Sequence, residues 1–343
     1  MRFGVKQSLN LLLRFQTLRE FLHSFFLLFL EMESRVEGEY DDRVWKKLEP
    51  IYIGARRRLL QLRMWRYGPL FVWDNARPVF DKLAEHNLSL EGKVYCDLGC
   101  GTHHPYGTSA VMYINGAAST IATDLIDTDK KRAAEALYEL LQDCLANPDV
   151  WHWSDLSRGE YLDRVQSFNF KALRMGDLEA GIGSAPLRHI TASIYETAIE
   201  PDSIDILSSR AVLEHLLDFE VACNSLFSLM SPSGVAYHLI DLVDHRAYGS
   251  SKHHWWSFLG EDEHWSDDLC NRLRASEIRE FFERTGFEIL SYNAIAKAEM
   301  PVGFRKQLKG RFATMSNEEL ESIRIACLIK KPQARSVLPA PKI

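Results

Sequence analysis

The chain has 343 residues, of which 46% are hydrophobic and 26% charged. That balance supplies enough apolar surface for a packed core and argues against disorder over most of the length; at roughly 150 residues per domain it suits two domains, or one with additions. The formal net charge of −6 argues against a protein whose main task is coating nucleic acid.

The amino-terminal zone, residues 1–75, reads as a helical extension. From Ser8 to Met32 it is rich in Leu and Phe, interrupted by Arg14, Arg19, Glu20 and His23. Its longest stretch without a formal charge, Phe21 to Leu30, is about half of the ~20 residues a bilayer-spanning helix needs. A spanning helix is therefore disfavoured. An amphipathic helix over residues 8–32, packed on protein or lying peripherally on a membrane, fits the pattern. Arg56, Arg57, Arg58, Arg63 and Arg66 alternate with Leu and Trp and read as a basic, solvated face.

From residue 76 to 245 short apolar runs alternate with helical segments, a pattern that predicts βαβ crossovers and a mostly parallel sheet. The expected strands are Val94–Leu98, Ser119–Leu125, His189–Ser193, Ile204–Ser209 and Val235–Asp241. Lys130 to Leu145 is an expected helix. A second helix carries the stripe Leu213, Leu216, Phe219, Ala222, Leu226 and Met230, and Ser231-Pro232-Ser233-Gly234 is a turn that closes it. Residues 148–186, with Trp151 and Trp153, read as an insertion. Residues 246–332 supply an aromatic and histidine-rich segment (His253 to Trp265) that suits a lid or a packed loop, then a helix Ala275–Thr285 stopped by Gly286, and strands Phe287–Tyr292 and Ile323–Lys330. Residues 333–343 read as a tail. The six cysteines show no CxxC pair, so neither a zinc ribbon nor a disulfide scaffold is supported; free thiols in a reducing, cytoplasmic setting are expected.

The segment that carries chemistry is Asp97-Leu98-Gly99-Cys100-Gly101-Thr102, directly after a strand. Glycines at a strand-to-helix turn let a ligand approach the backbone, at the carboxyl end of a parallel sheet where such ligands sit. Dinucleotide binders want G-x-G-x-x-G, and here His104 stands at the third glycine. The acid Asp97 would repel a pyrophosphate, yet it suits a ligand with a free amino group and a sulfonium. Asp124, at the end of the next strand, can accept both hydroxyls of a ribose. The set points to S-adenosylmethionine.

In these segments the chain resembles the class I S-adenosylmethionine-dependent methyltransferases. Ile204 to His215, ending in Val212-Leu213-Glu214-His215, is similar to the family's fourth-strand segment, and Leu229-Met230-Ser231-Pro232-Ser233-Gly234 to its turn before the fifth strand. Asp241-Leu242-Val243-Asp244-His245 and Asn271-Arg272-Leu273-Arg274 resemble a type 11-like subgroup tied to polysaccharide and natural-product pathways. The resemblance implies a Rossmann-like, seven-stranded, doubly wound α/β sheet with a helical amino-terminal extension, and S-adenosylmethionine as cofactor. It implies that Asp97, Gly99 and Gly101 hold the methionine part and Asp124 the ribose, with Leu125 and Ser209 beside them. It puts Ser193 and Ile194 at the adenine, with Asp177 as the rival there.

A hydroxyl acceptor also needs a base at neutral pH. His215, His245 and Glu214 flank the expected site, and each also suits a capping or packing role. His103 and His104 are expected to shape the cofactor pocket. Asp241, Asp244, His238 and His245 can be read as a metal cluster, but His238 and Asp241 fall on opposite faces of a strand, which splits it, so no metal site is expected. The expected function is methylation of a small-molecule or glycan hydroxyl, without a nucleic-acid partner. The rivals are a catalytically silent S-adenosylmethionine-binding or scaffold protein recruited through its amino-terminal helix, and a nicotinamide dehydrogenase, against which the missing third glycine argues.

Overall fold

A computed structural model describes residues 68–249, 253–262 and 270–333. The expected helix at 8–32 with its membrane contact, the arginine-rich face at 56–66, His264 and Trp265, and most of the expected tail lie outside the described residues. Among the described residues no helix is long and apolar enough to cross a membrane. The chain divides into Met1–Phe71 and Val72–Ile343, and the second unit holds the sheet.

Helix α1 (Pro69–Glu85) runs across the boundary expected at residues 75–76. Strand β1 (Val94–Leu98), helix α2 (Gly107–Ile114), strand β2 (Ser119–Asp124) and helix α3 (Lys130–Ala146) follow. The side chain of Asp129 caps α3 by accepting from the backbone N–H groups of Lys131 and Arg132. Four short helices then occupy the predicted insertion: α4 (Pro148–Trp151), α5 (Arg158–Gln166), α6 (Phe170–Arg174) and α7 (Leu178–Ile182). Buried Asn115 anchors them, donating to the Trp151 carbonyl while its Oδ1 accepts from the Trp153 N–H. Trp151, Tyr161 and Leu173 pack there into the same core as Tyr95 and Ile114.

Strand β3 spans Leu187–Thr191, two residues earlier than expected. Buried Leu187 joins the core while Thr191 is exposed, so the inward-facing part of the run lies further upstream than the apolar pattern suggested. β4 (Ile204–Arg210) is followed by a 3₁₀ turn (Leu213–His215) and then α8 (Phe219–Leu229). The continuous helix expected over 213–230 is thus split, because Asp218 caps a new start by accepting from the Val221 N–H. β5 (Met230–Asp241) absorbs the Ser231–Gly234 turn as an irregularity, with Ser233 at φ 69°. A short helix α9 (Arg246–Gly249), helix α10 (Ala275–Thr285), strand β6 (Glu288–Lys297), helix α11 (Asn317–Glu321) and strand β7 (Ser322–Lys330) complete the unit. Gly286, left-handed at φ 104°, stops α10.

The sheet order is β3-β2-β1-β4-β5-β7-β6. The first five strands are parallel, and β7 inserts antiparallel between β5 and β6. This is a Rossmann-like, doubly wound α/β fold. Strand order reverses on either side of β1, which brings the carboxyl ends of β1, β2, β4 and β5 to one rim.

The aromatic segment 253–262 is packed rather than free: Trp256, Phe258 and Leu259 form a small core with Leu308, Phe312 and Leu320. Fully buried Arg274 ties this part to the sheet, donating to the carbonyls of Leu242, Leu320 and Ser322. Removing a donor strands buried acceptors, each at a cost of about 1–3 kcal/mol. Arg274→Met is expected to lower the urea unfolding free energy by roughly 3 kcal/mol or more, with Arg274→Lys recovering only part of it.

Candidate functional site

The turn after β1 is built by two left-handed glycines, Gly99 at φ 70° and Gly101 at φ 71°. The backbone N–H groups of Gly99 and Cys100 both donate to the Thr123 carbonyl on β2. Gly101 N–H donates to Asp124 Oδ2 (2.8 Å), and Ile126 N–H to Asp124 Oδ1 (3.0 Å). The acid that ends β2 therefore holds the glycine loop open. A Cβ at Gly101 would meet no atom within 4 Å, whereas one at Gly99 would overlap the Val212 side chain. Gly99 is small because the segment after β4 lies against it; Gly101 borders open space.

Asp97 is buried on the Tyr95–Ser208 side of the sheet, beside Asp124. Burial, with the Asp124 charge adding to it, pushes its carboxyl up to about 7, against a hydrogen bond from Thr108 that lowers it. The two carboxylates thus lie close enough for each to feel the other's charge. Leu125 and Ile126, 69% and 61% exposed, lay apolar surface next to Asp124.

The other residues expected at the cofactor are placed differently. Ser193 lies two residues past β3, where its Oγ accepts from the Tyr195 N–H, and the neighbouring Ala192 N–H donates to the Asp124 carbonyl. Ile194 is buried with Leu98 and Ile121. Ser209 shares a hydrogen bond with His238 Nδ1 (2.8 Å), on the face of β4 opposite Ser208 and hence opposite Asp97. Asp177 caps α7 by accepting from the Ala180 N–H. His104 is buried against Gly107 and held neutral, its value lowered by burial to about 4.

A second cluster stands beyond Val212. Glu214 is 2% exposed; its Oε1 accepts from the Asp241 N–H, and its Oε2 has no partner. Burial, the largest cause, and the Asp241 charge raise its carboxyl to about 8. His245 Nε2 lies 3.9 Å from Glu214 Oε1 and 3.8 Å from Asp241 Oδ2. Burial lowers the His245 imidazole against the pull of Asp241 and Asp244. The rings of His215 and His245 meet edge to face with centroids 4.9 Å apart. His238, by contrast, stacks on Phe282 in the core, as strand alternation requires. The structure so brings the three residues expected to act as bases, Glu214, His215 and His245, to one place and joins Asp241 to them.

Asn271 entered the sequence reading only as part of a motif and Cys270 only as one of six scattered thiols, neither as a site residue. The Asn271 side chain donates to the Leu213 and Leu216 carbonyls and its backbone N–H to the Glu214 carbonyl, clamping the 3₁₀ turn. Cys270 is buried beside the Val243 carbonyl. The only sequence signal for either was their position within or next to the Asn271–Arg274 motif.

Residues 72–292 match a family of methyltransferase domains. No curated protein matches. Among solved structures, the chain is similar to a protein from Listeria monocytogenes assigned as an S-adenosylmethionine-dependent methyltransferase (15% identity, TM-score 0.41, covering 75% of this chain and 100% of that one). It is also similar to a Haloferax volcanii protein solved with the Trm112 methyltransferase activator (14%, 0.43, 77% and 90%) and to an S-adenosylmethionine-dependent methyltransferase from Mesorhizobium loti (13%, 0.38, 73% and 96%). These likenesses are distant, and the family rests on the domain match.

The raised carboxyl of Asp97 has a measurable effect on stability. Its folded value of about 7 lies above the 3.8 of a free side chain, so between those pH values the folded state binds more protons than the unfolded chain. Unfolding free energy contributed by this group therefore falls as pH rises from 4 to 7. Asp97→Asn is expected to be more stable than the parent at pH 8, by up to roughly 4 kcal/mol, and to lose that advantage at pH 4. Thermal unfolding at both pH values checks it.

Proposed function

The chain belongs to the class I S-adenosylmethionine-dependent methyltransferases, and from that premise we propose that it methylates a hydroxyl group on a small molecule or a glycan. The observation that carries this reading is the packing of Gly99 against Val212, which sets the open cradle and the Glu214–His215–His245 cluster on one rim.

The residues of the cradle fit the cofactor. Asp97 and Asp124 are neighbouring carboxylates suited to an ammonium group and to a ribose diol, and Gly101 leaves the approach open. Leu125 borders it with exposed apolar surface; Ile194 is buried in the core, and Ser209, bonded to His238, lies on the far face of β4 and supports it from behind. When bound, S-adenosylmethionine supplies a methyl group already activated on a sulfonium sulfur. The protein's part is then alignment and exclusion of water. A hydroxyl entering beside His215 and His245 gives up its proton to the carboxylate–histidine cluster, and the buried position of Glu214 keeps that proton out of bulk water. Acceptors of the polysaccharide or natural-product kind suit the shared Asp241–His245 and Asn271–Arg274 segments. Six free, buried cysteines among the described residues favour a reducing, cytoplasmic setting.

Two outcomes are expected. Asp97→Ala weakens S-adenosylmethionine binding by calorimetry at least tenfold, and in the parent the affinity rises with pH through about 7 as Asp97 ionises. His215→Ala and His245→Ala retain cofactor affinity but lower methyl transfer by roughly 100-fold or more, the usual contribution of general acid–base groups. Transfer is read as labelled methyl entering a hydroxyl-bearing compound from cell extract. Cofactor binding without any labelled product would instead favour the silent scaffold.

A further inference from the structure

The Glu214–His215–His245 cluster holds more donor chemistry than proton removal needs. One nitrogen from each of His215 and His245 and the Sγ of Cys270 all lie within 4.8 Å of one another. They arrive on three separate segments: the 3₁₀ turn after β4, the turn after β5, and the irregular stretch ahead of α10. Tetrahedral coordination at about 2.0–2.3 Å places ligand atoms roughly 3.5 Å apart. Side-chain movements of about 1 Å would therefore close this set around one ion. The two rings meet at 68°, so neither stacks over the other's nitrogens.

A second observation points the same way. Glu214, at 2% exposure, keeps Oε2 unpartnered, and its Oε1 is 3.9 Å from His245 Nε2, itself buried without a hydrogen-bond partner. Asp241 stands 3.8 Å from the same nitrogen on the other side. A buried carboxylate with an empty lone pair next to neutral donors is costly unless a cation or proton answers it.

We propose that His215, His245 and Cys270 bind one divalent transition-metal ion, with a fourth position left open to the acceptor hydroxyl. Two imidazoles and a thiolate select zinc or cobalt over magnesium or calcium, which take oxygen ligands. Three protein ligands and one open position are the arrangement of a working site rather than a purely structural one. Cys270 is buried and His215 exposed, so the open position would lie toward solvent on the His215 side. The proposal rests on the reading of this cluster as the place where the acceptor loses its proton, and it gives that step a cause. An oxygen on the ion parts more readily from its proton. The O–H bond would break and its proton would pass to the Glu214–Asp241 acid pair beside His245. The oxygen's electron pair forms the new C–O bond, and the pair of the broken C–S bond stays on sulfur. Asp241 and Glu214, beside the ligand histidines, balance the charge and orient the rings.

The test is titration of the full-length, metal-stripped protein with cobalt(II), followed by absorbance. The expected result is one cobalt per chain, with a thiolate-to-cobalt charge-transfer band in the near ultraviolet. Cys270→Ser should abolish the band, and His245→Ala should weaken cobalt binding by 100-fold or more. Undiminished S-adenosylmethionine binding in both variants shows that they are folded. No saturable cobalt binding, or a band unchanged in Cys270→Ser, overturns the site. The two readings fail separately: intact methyl transfer by a protein that binds no cobalt removes the ion and leaves the reaction, whereas tight cobalt binding with no hydroxyl methylated keeps the ion and removes the reaction.

Discussion

The structure depends on the contact between Gly99 and Val212. β1 and β4 are adjacent parallel strands, in register from Tyr95↔Ile206 to Leu98↔Ser209, so their carboxyl ends leave the sheet side by side. The chain after β1 turns through two left-handed glycines, and the chain after β4 turns into a 3₁₀ helix. The turns can lie this close only because no Cβ stands at Gly99. That missing carbon couples a cradle lined by carboxylates to a cluster of histidines and acids.

Both halves of the rim hold buried acid in an unfavourable state. Asp97 is pushed to about 7 and Glu214 to about 8, in each case chiefly by burial. Structural carboxylates are normally answered by a cation or several N–H donors, and their values fall. Here a neighbouring carboxylate adds to the effect of burial at each, Asp124 at Asp97 and Asp241 at Glu214, and at Glu214 the Arg324 charge offsets it only in part. Two such perturbed groups at neighbouring turns agree with the proposal that a ligand, rather than the protein, completes the electrostatics there. Stability is given up at these positions, and the surrounding structure sustains them. Asn271 clamps the turn that carries Glu214, and Arg274 binds three carbonyls where β5, α11 and β7 meet.

Asn271 and Arg274 also explain why three short motifs far apart in the chain belong together. The turn at Leu213–His215, the end of β5 at Asp241–His245 and the segment at Asn271–Arg274 form one junction, joined by hydrogen bonds between side chains and backbone and by the packing of Leu213, Leu242 and Leu273 in one apolar cluster. Each motif alone reads as an ordinary helix start or strand end.

What the linear chain determined is the part set by local physics. β1 and α10 lie where the apolar run and the Gly286 stop put them, and the glycine pair after β1 together with the acid ending β2 marked the cradle. The opposite facing of His238 and Asp241 followed from strand alternation. Tertiary structure decided the rest, wherever a choice turned on partners distant in sequence. The ends of β3 were set by which residues reach the core beside β2, and the helix expected at 213–230 broke because Asp218 caps a second start while Asn271 holds the first turn in another geometry. Ser209 turned to His238 and away from Asp97 because β4 must bury both faces. Cys270 carried a signal only through its place next to the Asn271–Arg274 motif: a lone thiol acquires chemical meaning only when folding sets it beside two imidazoles from the turns after β4 and β5.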